Sequence, residues 1–247
     1  MSKIKLTLKI PGSLADITLG QYQDYLKVLN GLKKDKKEDE EFTDGEIEFL
    51  NKKTLQIFCG VELKDAYKLP LSAFMVALEA VQACFSEETP LIREFIFKDS
   101  EGVEQQMGFI PKLDEMSFGE YVDLDSFISD WSNMHKAMAI LFRRKTMVSK
   151  QMYLIADYEG DETIENYAEA MKEMPVNIAM GALVFFYRIG MKLADGMMNY
   201  LENHKELSSK FKDSLPNGGV GIRALLHSQM ETSLNLMKYQ RFHSVKH

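Results

Sequence analysis

The chain has 247 residues, 45% of them apolar, and a formal net charge of −7, which suffices for one large or two small packed domains. The acidic balance excludes a general nucleic-acid-binding surface, though not a local basic patch. Its two cysteines, Cys59 and Cys84, provide neither a disulfide framework nor a four-thiolate zinc site, and the first residues lack the apolar core of a signal peptide, so a reducing compartment is expected.

Lys3 to Ile10 alternates like a strand. Thr18 and Gln21 then have capping-box spacing, in which the cap hydroxyl accepts the N3 amide and the N3 side chain returns to the cap. A helix from Leu19 to about Leu32 follows, and the mixed-charge run Lys33 to Glu41 reads as a solvated loop. Thr43 and Glu46 form another capping box, with Phe42 and Ile47 as a hydrophobic staple, starting a helix that stops at Gly60. Pro70 opens a third helix through about Phe85.

Ile92 to Lys98 and Gln105 to Ile110 flank Ser100, Glu101 and Gly102 as a hairpin. Helical patterning returns over Phe118 to Asp123 and Ser126 to Arg143. A strand is expected over Met152 to Tyr158, a short helix over Thr163 to Met171 and a long one from Val176 to about Asn203. Asn177, Arg188 and Lys192 interrupt the most apolar stretch, Val176 to Ala194, which favours a buried helix over a membrane span.

Pro216, Asn217, Gly218 and Gly219 break the pattern. Beyond them Ile222, Leu225, Leu226, Met230, Leu234 and Met237 recur at helical spacing, an amphipathic stripe that either closes the chain's own core or docks on a partner. The residues after Tyr200 carry seven Lys or Arg against four Asp or Glu, opposite to the acidic remainder.

The N-terminal stretch recurs in the middle of the chain. Ile10-Pro11, Leu14, Asp16, Ile17, Thr18, Leu19, Gly20, Gln21, Tyr22 and Asp24 return as Ile110-Pro111, Leu113, Glu115, Met116, Ser117, Phe118, Gly119, Glu120, Tyr121 and Asp123. Ser117 and Glu120 thereby repeat the capping box. In the same order, Leu69-Pro70, Met75, Ala77 and Leu78 return as Met174-Pro175, Met180, Ala182 and Leu183, and Lys53 and Ile57 align with Lys136 and Ile140. The expected architecture is mainly α with a small β component. It is a tandem duplication of a strand-plus-three-helix module, residues 1–95 and 96–203, with a C-terminal helical extension over 204–247. Leu19 to Leu26 and Phe118 to Asp125 are expected in equivalent places, and Pro70 and Pro175 are expected to open equivalent helices.

Few residues suggest chemistry. Asp114, Glu115, Glu120, Asp123, Asp125 and Asp130 are the richest acidic cluster, but Phe127 and Ile128 stand where an EF-hand loop needs its glycine, and Glu120 is engaged as a cap. His135 lacks a nearby histidine, cysteine or paired acid in sequence, and His204, His227, His243 and His247 lack metal-ligand spacing. Gly218-Gly219-Val220-Gly221 lacks the lysine and hydroxyl of a P-loop. The sixteen methionines, with Met171, Met174, Met180, Met191, Met197 and Met198 around the long helix, read first as packing. No catalytic residue, metal or cofactor is expected.

The segment Gly108-Phe-Ile-Pro-Lys-Leu-Asp-Glu-Met-Ser-Phe-Gly-Glu-Tyr-Val-Asp-Leu-Asp125, with Asn133-Met-His-Lys-Ala-Met-Ala-Ile-Leu-Phe142, resembles structural and assembly proteins of tailed bacteriophages, including crAss-like phages. The resemblance covers about Gly108 to Tyr187 and transfers no functional residue. It implies a non-enzymatic virion component (tail, ring or packaged cargo) working through protein–protein contacts, or a tail assembly chaperone absent from the finished particle. The partners it implies are other phage structural or assembly proteins or further copies of the chain, with no membrane and no specific nucleic acid. The locations are the virion and, during assembly, the host cytoplasm. A metal-dependent hydrolase using the Asp114 to Asp130 acids is the enzymatic alternative.

Overall fold

All three expected capping boxes form in the computed structural model, which describes residues 8–34, 36–37, 40–98, 102–148, 153–186 and 188–189. Thr18 Oγ1 accepts the Gln21 amide at 3.2 Å while Gln21 Oε1 accepts that of Thr18 at 2.9 Å, starting α1 (Leu19–Lys33). Thr43 and Glu46 do the same for α2 (Asp44–Cys59), which ends at Gly60 with φ +66°, the left-handed conformation that glycine adopts without a Cβ penalty. A short α3 (Leu63–Ala66), unmarked in the sequence, precedes Pro70, the N-cap of α4 (Leu71–Cys84).

The chain then forms the expected hairpin, β1 (Glu94–Lys98) with β2 (Glu104–Phe109). Ser117 and Glu120 start α5 (Phe118–Phe127). The helix expected over Ser126 to Arg143 is instead interrupted. Asp130 accepts the Ser132 amide at 2.9 Å and caps a 3-10 turn, Trp131–Asn133, from which α6 (Met134–Leu141) leads directly into β3 (Phe142–Val148). The basic run Arg143 to Lys145 hides β3 in the sequence. The expected strand Met152 to Tyr158 is shorter, β4 (Tyr153–Ile155), and is followed by α7 (Asp161–Met171) and a helix over residues 176–186, α8.

The four strands form one antiparallel sheet in the order β1-β2-β3-β4, with Phe95 opposite Met107 and Phe109 opposite Phe142. The described structure is thus mainly helical with a small sheet. Of the strand expected over Lys3 to Ile10 only residues 8–10 are described, and they are not in a strand. The expected helix beyond residue 189, the 204–247 extension and the stripe Ile222, Leu225, Leu226, Met230, Leu234 and Met237 lie outside the described residues.

Among the described residues one apolar core runs from Leu14 through Leu55, Val81, Phe109, Met138 and Met174 to Leu183. Two aromatic chains knit it. Trp131, Tyr22, Phe85 and Phe58 follow one another at ring separations of 4.9, 5.6 and 5.7 Å, and Phe95, Phe142, Phe109 and Phe185 at 5.2, 5.2 and 5.8 Å, joining the sheet to α8. Buried Met107, Met134, Met138, Met171, Met174 and Met180 fill the space between.

The two recurring segments share their local build: a 3-10 turn (Leu14–Asp16 or Leu113–Glu115), an extended residue, a capping box and a helix. They differ in the face they bury. Leu19 and Tyr22 are buried, whereas Phe118 is 82% exposed and Tyr121 is also exposed; Glu120 is buried.

Gly181 of α8 passes so close to the loop before β1 that a Cβ there would stand 2.2 Å from the Pro90 carbonyl oxygen, whereas a Cβ on Gly31 of α1 would meet nothing within 4 Å. Gly181→Ala is therefore expected to lower the unfolding free energy by about 1–3 kcal/mol, as overpacking does. Gly31→Ala is expected to raise it by roughly 0.5–1 kcal/mol through helix propensity. Urea denaturation of the two variants checks both signs.

Candidate functional site

The acids Glu115, Glu120, Asp123 and Asp130 do not converge. Glu120 sits buried between two partners, with Oε2 accepting the Ser117 amide at 2.6 Å and Oε1 accepting from Arg143 Nη2 at 2.6 Å. Both side chains of this ion pair are only 7% exposed, so removing either alone would leave an uncompensated buried charge. Asp123 accepts from the Tyr158 hydroxyl at 2.5 Å, and burial together with that carboxylate pushes the tyrosine well above its ordinary range. Glu115 pairs with Lys112, and Asp130 holds Ser132 and Asn133. Among the described residues no group of three or more His, Cys, Asp or Glu side chains is placed to hold a metal ion. Arg143 organises this region and goes unmarked in the sequence, because one arginine in a basic run carries no sign of burial.

A cleft of about 760 Å³ opens between α1, the 130–132 turn, the start of α6 and Lys172 after α7. Its floor is organised by Gln23, whose Nε2 lies 2.7 Å from the Trp131 carbonyl, 3.3 Å from that of Ser132 and 3.0 Å from His135 Nδ1. Gln23 Nε2 thus sits within hydrogen-bonding distance of both carbonyls and of the ring nitrogen. His135 Nε2 faces Glu169 Oε1 at 3.9 Å, while the other Glu169 oxygen accepts from Lys172 at 2.8 Å.

Burial is the main cause holding His135 below its ordinary value of 6.5. The charges of Lys172 and Lys136 act in the same direction, and Glu169 opposes them. His135 is therefore neutral at pH 7, and its approach to Glu169 is not an ion pair there. No spacing in the sequence announces these neighbours, since Gln23, His135 and Glu169 lie on three separate helices. Asp24, Lys27, Ser129 and Asp130 line the rest of the cleft. Ser132 Oγ donates to the Asp130 carboxylate at 2.5 Å.

Cys59 and Cys84 are both free and buried. Desolvation pushes the Cys59 thiol up to about 11 and raises that of Cys84, so neither presents a thiolate at neutral pH. Among the described residues no helix is long and apolar enough to cross a membrane.

No protein-family model matches the chain, and neither a curated protein nor a solved structure is detectably similar to it.

The lowered His135 value has a direct consequence for stability. Because the unfolded chain binds this proton more readily than the folded one, His135 contributes stability that is present above pH 6.5 and is lost as pH falls below that value. The unfolding free energy of the native chain is expected to drop more steeply on acidification from pH 7 than that of His135→Gln, and paired urea titrations read the difference.

Proposed function

We propose that this chain is a non-enzymatic component of a tailed-bacteriophage particle, a tail, ring or packaged cargo protein that acts through protein–protein contacts. The observation that carries this reading is the combination of inward-turned polar chemistry with outward-turned apolar side chains. Phe118, Leu71 and Tyr67 are each at least 70% exposed, and Val76, Ile96, Met147 and Leu154 are exposed as well. Exposed apolar groups of this size are available for contact with neighbours, and they mark an interface where they gather into a contiguous patch. The resemblance of residues 108–125 and 133–142 to phage structural and assembly proteins supplies the biological setting.

The tandem duplication belongs to the same proposal. Beyond the matching helix starts, the third helical residue in each copy has a second task. Gln21 donates to the Ile57 carbonyl in the last turn of α2 at 2.9 Å, and Glu120 binds Arg143 just past the end of α6. In both copies the capping side chain thereby ties its helix to the exit of the next one, as descent from one module would leave it. The differing buried faces fit two copies specialised for different neighbours.

The alternative of a metal-dependent hydrolase would need its acids to converge, and the separate partners of Glu115, Glu120, Asp123 and Asp130 favour the non-enzymatic reading over it. A tail assembly chaperone uses the same kind of surface and is separated from a virion component by its fate. Mass spectrometry of purified particles is expected to find the protein at a reproducible copy number. Its absence from particles, with abundance in the infected-cell lysate, would favour the chaperone.

A further inference from the structure

Among the described strands β1 lies at the edge of the sheet, and its hydrogen-bonding phase is fixed. The Phe109 amide donates to the Arg93 carbonyl at 2.7 Å, which makes Glu94 and Gly108 a non-hydrogen-bonded pair in the antiparallel register. Alternation then turns the backbone N–H and C=O groups of residues 95 and 97 towards β2 and those of Glu94, Ile96 and Lys98 away from it. Among the described residues no backbone group meets these outward groups, and the Ile96 side chain is 59% exposed.

We propose that the outer edge of β1 pairs antiparallel with the same edge of a second copy, about a two-fold axis at Ile96. The sequence Glu94-Phe-Ile-Phe-Lys98 is self-complementary in this register alone. Centred on Ile96, the strand sets Glu94 of each copy opposite Lys98 of the other, while Ile96 meets Ile96 and exchanges both of its backbone hydrogen bonds. Of the other registers that use the outward groups, those centred on Glu94 or on Lys98 place like charges face to face, which is destabilising, and those centred on residue 95 or 97 set Glu94 or Lys98 opposite Ile96 with no charge partner. An isologous contact of this kind closes on itself and leaves no β1 edge open to a further copy. Glu94 already receives Lys145 at 2.7 Å through one oxygen, and the incoming lysine takes the other.

Two five-residue strands bury less than the roughly 1,200 Å² of a standard specific interface, so the dimer is weak and reversible. It forms where copies are concentrated, as in an assembling particle, although the pairing does not rest on that role.

Sedimentation velocity of the full chain, from micromolar to millimolar concentration, tests the register. The native chain is expected to dimerise with rising concentration. Lys98→Glu and Glu94→Lys, each alone, oppose like charges and are expected to weaken dimerisation on the order of tenfold. Mixed in equal amounts they restore it, because the acidic strand of one then faces the basic strand of the other. Ile96→Pro removes an outward N–H without touching the β1–β2 ladder and is expected to abolish the dimer while circular dichroism stays native. A native chain that remains monomeric throughout would overturn the proposal, as would folded charge variants that self-associate like the native chain or fail to complement each other on mixing.

Discussion

The first turn of α1 is tied to backbone far along the chain. Leu19 is fully buried, and the opening amides of a helix have no partner within it. The chain supplies acceptors from far along the sequence: the Leu19 amide donates to the Met174 carbonyl at 2.8 Å and the Gly20 amide to that of Lys172 at 2.8 Å. The Val176 amide returns a bond to the Ile17 carbonyl at 2.8 Å, and Thr18 pairs with Pro175 as an isolated bridge. Gly20 permits the approach, since a Cβ there would already stand 3.2 Å from both the Lys172 Cβ and its carbonyl oxygen. This contact seats the entry of α1 on the turn between α7 and α8. It thereby brings Gln23 to His135 and opens the cleft beside Lys172.

The Gln21 and Glu120 ties solve related problems with different chemistry. Gln21 is neutral, so its amide can accept from its own cap and donate to a carbonyl of α2 without a charge in the interior. Glu120 can only accept, and it therefore requires the buried guanidinium of Arg143. The second solution carries a larger desolvation cost and confers no guaranteed gain in stability over apolar packing. Its effect is to fix where β3 begins relative to α5.

Much of the local structure was legible in the sequence because it is encoded by groups a few residues apart. Thr18 with Gln21, Thr43 with Glu46 and Ser117 with Glu120 marked three helix starts, Gly60 marked an end, and the residues around Gly102 marked the hairpin. What escaped depended on partners remote in sequence. Phe142 to Val148 carries three successive basic residues and reads as a strand only once Arg143 has found Glu120. The break between α5 and α6 depends on Asp130 turning back onto Ser132. The His135 site is assembled from α1, α6 and α7, and no spacing rule connects such residues.

The same division separates what helix starts encode from what surfaces do. Phe118 and Leu19 occupy matching positions after matching caps, yet one is in solvent and the other in the core. Tertiary seating, above all the docking of α1 on the 172–176 turn, decides which face is presented outward. Hydrogen exchange at single-residue resolution tests that seating most directly. Slow, cooperative exchange of the Leu19, Gly20 and Val176 amides, matching the most protected core residues, is the result expected. Exchange of Leu19 and Gly20 at the rate of an open helix N-terminus, with the rest of α1 protected, would contradict it.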